Sequence, residues 1–449
     1  MPHTNYDGML CKRQQVIAES DDSIFVVESL LGGGTQGEVY KITNQSRTTN
    51  LALKWYFPNM ATKVQHHALR NMIQRGCPHK AFLWPLFLVK AKGKRGFGYA
   101  MHLKPVNFVT IPDLLSRRIE PSFACIAMIC ANLAYVFRML HAQGLYYCDI
   151  SPNNIFFDPI TGDVLIADND NVRIDGDGKR SVDGTLPFMA PELIRGETIP
   201  NSITDQHSLA TLNFHILFLH HPFEGSREAN IHCFDEPAMR RLYGEHPVFI
   251  FDPRNKSNRP VPGRHDNAII YWSLYPSFLR QAFVRTFTDG LRDPLHSRVR
   301  EIEWCVVFNS LLAAITHCSS CHNENFYSRD SINLKTRCIG VCWSCGSPIS
   351  IPARIRIGER IVVLEHGTML YPHYLGETGS PGFGTPVGKV MSHPLRTEIL
   401  GLRNESTHTW VVRHATKGSL VVRPGQSVEL LQDMFIDFGT ATGNVRLGV

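Results

Sequence analysis

Acidic side chains are missing from a long stretch near the start of this chain. Between Glu38 and Glu120 there is no glutamate, and Asp113 is the only aspartate. A lysine in that stretch therefore has no carboxylate on a nearby helix to pair with. No apolar run approaches the ~20 residues that cross a bilayer, so no membrane span is expected. Met1 to Glu19 has no apolar core of the kind a secretory signal carries. Internal repeats and low-complexity tracts are also lacking, which argues against a solenoid or a disordered chain. Charge of one sign does not dominate: the net charge is +6 over 449 residues. That balance permits an acidic partner without demanding nucleic acid. Hydrophobic residues at 43% and charged residues at 19% match ordinary globular domains, and the length predicts more than one. Cysteine, by contrast, is plentiful. Five of the twelve fall between Cys318 and Cys345, which points to a metal rather than disulfides and to a reducing cytoplasm.

The periodicity predicts a strand, a tight glycine loop and a second strand over Ile24–Asn44, and a short strand over Leu51–Phe57. Helical spacing runs from Ala61 to Arg75 and stops at Gly76, and a longer apolar helix spans Phe123–His141. Short strands follow at Ile155–Phe157 and Val164–Ala167. Thr204 to about Leu312 reads as mostly helical.

Gly32, Gly34, Gly37 and Val39 form G-x-G-x-x-G-x-V between two strands. Glycine suits a backbone that must approach a triphosphate closely and adopt angles that side chains forbid. Lys54 follows in the next strand, placed to reach phosphates. After the long helix comes Asp149-Ile150-Ser151-Pro152-Asn153-Asn154. A carboxylate here can take the proton of an acceptor hydroxyl, and an amide oxygen five residues on can help hold Mg²⁺. Asp168, just past a strand, suits a principal metal ligand.

These features, in this order, resemble the eukaryotic-type protein kinase family over roughly Ile24–Thr316. The resemblance implies a two-lobed fold, ATP and Mg²⁺ as cofactors, and γ-phosphate transfer to serine or threonine of a protein. It implies that Asp149 and Lys54 are catalytic, that Gly32, Gly34, Gly37, Val39 and Lys54 bind ATP, and that Asn154 and Asp168 bind the metal. Thr185 would lie in the substrate loop and bond toward Asp149. Glu192, in Ala190-Pro191-Glu192, would pair with Arg298, and Asp205 would brace the catalytic loop.

Three positions depart from the family pattern. Tyr147-Cys148-Asp149 stands for the usual H-R-D, so Tyr147 is expected to take over the histidine's packing role and no arginine awaits a phosphorylated loop. Asp168-Asn169-Asp170 stands for D-F-G. Lys54 lacks a helix glutamate, which leaves Gln65, His67 or Asn71 to orient it, or no partner at all. These changes support a second reading: a pseudokinase scaffold that binds nucleotide and recruits partners.

Cys318-x-x-Cys321 and Cys342-x-x-Cys345 carry the spacing of two knuckles closing on one structural Zn²⁺, with Cys338 left over. Only Arg329, Lys335 and Arg337 are basic between them, so nucleic acid is not expected there. Beyond Gly358 the chain turns to short strands: Ile361–Leu364, Glu398–Leu402, Thr409–Val412, Leu420–Val422, Ser427–Leu431 and Phe435–Phe438. Pro424-Gly425 and Gly443-Asn444 are the expected turns. A small β-sandwich follows. It resembles a forkhead-associated domain, with Gly358-Glu359-Arg360 and Asn404-Glu405-Ser406 as candidate phosphate contacts, though a general interaction domain is the preferred expectation. The predicted class is α+β: a two-lobed kinase fold, then a zinc ribbon, then a small all-β domain. Its divisions are an N-terminal extension 1–23, small lobe 24–104, large lobe 105–316, ribbon 317–350 and β domain 351–449. The order also resembles bacterial kinases of tellurite-resistance-associated clusters. That resemblance implies a von Willebrand A protein as substrate and a PP2C-type phosphatase as antagonist.

Overall fold

The structure is a computed structural model of the chain, described over residues 9–44, 46, 48–175, 184–376, 384–396 and 398–448. It divides into two compact units. One holds residues 1–119, 136–159 and 163–208; the other holds 120–135, 160–162 and 209–449.

In the first unit, strands β1 (Gln15–Ala18), β2 (Ile24–Gly33), β3 (Gly37–Asn44), β4 (Asn50–Tyr56), β5 (Phe87–Ala91) and β6 (Gly98–His102) close into an antiparallel barrel in the order β1-β2-β3-β4-β6-β5. Its first strand comes from the stretch expected to be an extension. Val16, Val27, Ile42, Leu53, Trp55 and Val89 fill the interior. β4 is the central strand for function: Leu51 through Tyr56 are buried on both faces, so Lys54 is buried as well. Helix α1 (Lys63–Arg75) starts where the Thr62 hydroxyl accepts from the Gln65 amide and ends at Gly76, whose φ of +85° closes the cap. Further along, β7 (Val109–Thr110) leads into α2 (Ile111–Leu115). α3 (Phe123–His141) has the predicted limits.

That helix corrects one expectation. At 19 residues, α3 is long and apolar enough to cross a membrane by length and composition. Ala127, Ile129, Cys130, Leu133, Ala134, Phe137 and Leu140 are nonetheless buried inside the protein, as in a core helix. After it come β8 (Leu145–Tyr146), the hairpin β9 (Ile155–Phe157) and β10 (Val164–Ile166), β11 (Arg173–Ile174), α4 (Pro191–Ile194) and α5 (Ser202–Phe218).

The second unit is built on an aromatic helical core in which Phe214, Phe218, Phe283, Phe287 and Trp304 touch ring to ring. Two hairpins follow, β12 (Ile315–His317) with β13 (Glu324–Phe326), and β14 (Cys338–Val341) with β15 (Pro348–Ser350). They are seated on the helices: Phe123 packs edge-on against Phe326 and Trp343, with centroids 5.3 and 5.7 Å away.

The tail contains β16 (Arg354–Ile357), β17 (Arg360–Val363), β18 (Met369–Leu370), β19 (Gly388–Ser392), β20 (Leu400–Asn404), β21 (Trp410–His414), β22 (Gly418–Val422), β23 (Ser427–Glu429), β24 (Phe435–Asp437) and β25 (Thr442–Arg446). A six-stranded sheet, β17-β16-β25-β24-β21-β22, and a four-stranded sheet, β18-β19-β20-β23, share one core that includes Ile355, Leu370, Val390, Leu402, Trp410 and Ile436. The expected sandwich is present. Gly443-Asn444, expected to be a turn, instead lies inside β25. A Cβ on Gly443 would sit 2.4 Å from Ile355 Cδ1, so this glycine serves close strand packing.

Candidate active site

The glycine hairpin folds for a different reason than its composition implies. None of Gly32, Gly34 and Gly37 has a positive φ, so the expected forbidden backbone angles are absent. Gly37 is required by contact: a Cβ there would lie 2.2 Å from the carbonyl oxygen of Trp55 on β4. Gly32 and Gly34 face open space. At the tip, Gln36 turns inward, accepting from Lys54 Nζ at 3.2 Å and donating to Asn171 Oδ1 at 3.5 Å.

Lys54 does have a carboxylate partner, but not on α1. Its Nζ lies 3.0 Å from both oxygens of Asp170 and 3.3 Å from Asp168 Oδ1. The expectation that Gln65, His67 or Asn71 would orient Lys54 is therefore corrected. Gln65 Nε2 instead donates to Tyr56 Oη at 3.2 Å and to the Asp170 carbonyl at 3.4 Å. Asp170 is fully buried and also accepts from the hydroxyls of Tyr56, at 2.5 Å, and Tyr99, at 3.3 Å. Burial alone would discharge Lys54; the Asp170 and Asp168 carboxylates outweigh it and hold the ammonium above its ordinary pKa. Burial raises Asp168 above the usual carboxylate range, and neighbouring Asp170 and Asp149 add to the rise against the pull of Lys54. Burial, reinforced by the Asp170 charge, also holds the Tyr56 and Tyr99 phenols protonated.

Asp149 is held from two sides. Its Oδ1 accepts from the Thr185 amide at 2.9 Å and hydroxyl at 2.7 Å, and its Oδ2 accepts from Asn154 Nδ2 at 3.0 Å. The expected bond from Thr185 toward Asp149 is present. Gly184 is needed beside it, because a Cβ would stand 2.7 Å from the Cys148 carbonyl.

The loop that carries Asp149 is braced from below. Buried Asp205 accepts from the backbone amides of Tyr147, at 2.5 Å, and Cys148, at 3.1 Å, while His141 Nε2 lies 3.1 Å from the same carboxylate. Cys148 takes a φ of +74°, a strained angle that those bonds sustain. Tyr147 packs its ring on Phe137 and donates its hydroxyl to the Ala167 carbonyl, next to Asp168. Asn169, in the position of an apolar packing residue, is buried and donates to the Ile166 carbonyl at 2.9 Å.

Glycine hairpin, lysine and acids meet in one cleft of about 270 Å³, lined by Gly34, Gln36, Gly37, Val39, Lys54, Asp149, Asp168 and Thr185 among others. A tethered base, a second acid and a lysine facing one space can grip a polyanion and a cation while taking up a proton. Glu192 opens α4 in this unit; Arg298 is buried in the second unit.

The second unit holds a cluster of cysteines. Sγ of Cys318, Cys321, Cys342 and Cys345 lie within 4.8 Å of one another, with Cys318–Cys345 and Cys321–Cys342 both at 3.6 Å. Four thiolates about 2.3 Å from one metal would stand about 3.8 Å apart, so the set fits a closed tetrahedral shell. Asn325 Nδ2 and Asn323 Nδ2 point at Cys342 and Cys321, each at 3.5 Å. Cys338 faces the Thr336 carbonyl outside the set. In the tail, Asn404 is buried with its amide donated to the His408 and Val422 carbonyls. Ser406 donates to Asn404, and Arg360 donates to the His373 carbonyl at 2.7 Å. These side chains close loops.

Residues 25–260 match the family described as protein kinase domain, and with just over half its length matched the chain belongs to that family. It is 25% identical over 207 residues to human serine/threonine-protein kinase SBK2, covering 45% of this chain and 58% of that protein. Rice CBL-interacting protein kinase 4 is 29% identical over 203 residues, 41% of this chain and 43% of that protein. Zebrafish serine/threonine-protein kinase SBK1 is 27% identical over 166 residues, 36% and 42% respectively. The chain spans about half the length of the curated relatives it matches.

Gln36, Tyr56, Tyr99, His141 and Asp170 join the site without having been singled out in sequence. Asp170 had one signal: it closes the Asp168-Asn169-Asp170 triplet that opens with a metal-ligand candidate.

Proposed function

We propose that this chain is a protein serine/threonine kinase that transfers the γ-phosphate of ATP to a protein hydroxyl. One observation carries the reading: Asp149, fixed by Thr185 and Asn154, shares a cleft with Asp168 and with a charged, buried Lys54. Transfer of this kind needs positioning and charge stabilisation more than covalent help. Asp149 Oδ2 is the base that orients and deprotonates the acceptor hydroxyl. Asn154 and Asp168 are the metal ligands; Mg²⁺, when bound, neutralises phosphate charge. Lys54 and the glycine hairpin bind the phosphates. Thr185 fixes the Asp149 rotamer beside the acceptor. Serine or threonine as acceptor follows the names of the relatives.

The four-cysteine cluster is a structural zinc site, since a full thiolate shell leaves no position for a substrate. The divisions at residues 104, 316 and 350 and a cytoplasmic location, read from the sequence pattern and the cysteine usage, belong to the same proposal, as do a von Willebrand A protein as substrate and an opposing PP2C-type phosphatase, which rest on the family resemblance. Incubation with Mg²⁺-ATP and a mixed protein substrate, read by mass spectrometry, should give phosphoserine or phosphothreonine. Nucleotide-dependent thermal stabilisation without any phosphorylated product would instead favour the scaffold reading.

A further inference from the structure

The charge that holds Lys54 in place comes from a segment that also supplies a metal ligand. Helix α1 carries no acid at all, from Lys63 through Arg75. Two carboxylates reach Lys54 instead, and they differ in what else they can do. Asp168 approaches with one oxygen at 3.3 Å, and its side chain keeps 44% of its surface exposed to the cleft. Asp170 presents both oxygens at 3.0 Å and keeps none exposed. It lines no part of the cleft, so it touches no ligand bound there. Tyr56 and Tyr99 hydroxyls fix its orientation, and Asp168, Asn169 and Asp170 lie on one tight turn.

A lysine's flexible stem must be immobilised before its charge can meet a phosphate in one place. In protein kinases that task ordinarily falls to a glutamate on the helix after the lysine strand, and moving the helix switches the enzyme. Here the task needs no helix.

We propose that Asp170 is the positioning carboxylate for Lys54. Because it sits two residues from Asp168 on the same turn, phosphate grip and metal ligation assemble together; α1 supplies no charge and reaches the pair only through the neutral Gln65, which donates to Tyr56 Oη and to the Asp170 carbonyl. This rests on the kinase reading and adds to it a consequence for regulation: shifting α1 does not uncouple Lys54 from its partner.

A double-mutant cycle in the full chain tests this, with Mg²⁺-ADP affinity by calorimetry and kcat and KM for ATP as readouts. Asp170→Asn preserves volume and one tyrosine bond while removing the charge. It is expected to lower kcat/KM for ATP by on the order of 100-fold, the loss that a misplaced group of about 1 Å brings. Lys54→Met should weaken ADP binding, and adding Asp170→Asn to it should weaken binding no further, because Asp170 acts only through Lys54. A merely structural Asp170 would give additive losses in the cycle, and that result overturns the proposal. Gln65→Ala removes two neutral hydrogen bonds and no charge, and should cost no more than about tenfold; a loss equal to that of Asp170→Asn would return the task to α1 and overturn the proposal too. Should Asp170→Asn fail to fold, the Lys54→Met/Asp170→Asn pair, in which no buried charge is stranded, keeps the comparison with Lys54→Met. A wild-type protein that binds nucleotide but transfers nothing would remove the kinase reading, while the binding cycle still decides the role of Asp170.

Discussion

Replacing Asp205 with alanine strands two buried backbone donors at once. The carboxylate accepts from the Tyr147 amide at 2.5 Å and the Cys148 amide at 3.1 Å, with His141 Nε2 at 3.1 Å. Asp205, Tyr147 and Cys148 are buried, so water cannot take over at the two amides without opening the loop. An unsatisfied buried donor costs about 1–3 kcal/mol, so the loop loses about 2–6 kcal/mol of local stability. Cys148 adds to the instability, since its φ of +74° has to be held against its own preference. At about 1.4 kcal/mol per factor of ten, amide exchange at Tyr147 and Cys148 should accelerate by roughly one and a half to four orders of magnitude. Asp149 follows directly in the chain, so kcat should fall steeply. KM for ATP should stay within about threefold, because Lys54 and the glycine hairpin do not touch Asp205. Hydrogen exchange read by mass spectrometry on a peptide spanning the loop, alongside steady-state kinetics, measures both effects. Unchanged exchange at those two amides would refute the bracing argument whatever the kinetics show.

The hairpin glycines should separate by contact. Gly37→Ala pushes a methyl into the Trp55 carbonyl and should destabilise the first unit by about 1–3 kcal/mol, whereas Gly34→Ala, facing open space, should stay within about 0.5 kcal/mol in the same melting experiment. Cys318→Ser should lower zinc content from about one per chain toward none and loosen the β12–β15 hairpins, as measured by metal analysis and proteolysis. Acid stability carries a signature of His215, which burial and then neighbouring His221 push down to about 3, against an opposing pull from Glu224. With an unfolded value near ~6.5, the unfolded chain takes up a proton that the folded chain refuses. The contribution is therefore intact above about pH 6.5 and is lost by up to about 1.4 kcal/mol per unit as pH falls toward the folded value. His215→Leu should flatten that slope in denaturant titrations between about pH 6.5 and 5.

What the sequence made legible was local. G-x-G-x-x-G-x-V, the strand lysine, Asp149 with Asn154, and the paired C-x-x-C knuckles each fit within a few residues, where spacing dictates geometry. α3 was readable to the residue because its apolar period is long. Contacts closed by the tertiary fold were not. Lys54 meets Asp170 across 116 residues and His141 meets Asp205 across 64, and neither pairing leaves a periodic trace. The absence of acid between Glu38 and Asp113 showed that the usual partner was missing without showing its replacement. In the tail, all six expected strands are present. Met369–Leu370 is too short to give a pattern, Gly388–Ser392 opens on a glycine, and Thr442–Arg446 carries a turn-like Gly-Asn pair that packing against Ile355 turns into strand. Composition also misjudged the glycine loop: its glycines answer to a neighbouring carbonyl and to open space rather than to unusual backbone angles.

The account stands or falls on whether Asp149 moves a phosphoryl group. Purified chain with Mg²⁺ and ATP labelled at the γ-phosphate, set beside Asp149→Asn, measures this directly. Label should pass to serine or threonine of the chain itself or of an added protein, and the variant should lose at least about 100-fold in rate while retaining nucleotide affinity. Equal labelling by both proteins, or none by the wild type above the variant, would contradict the central claim.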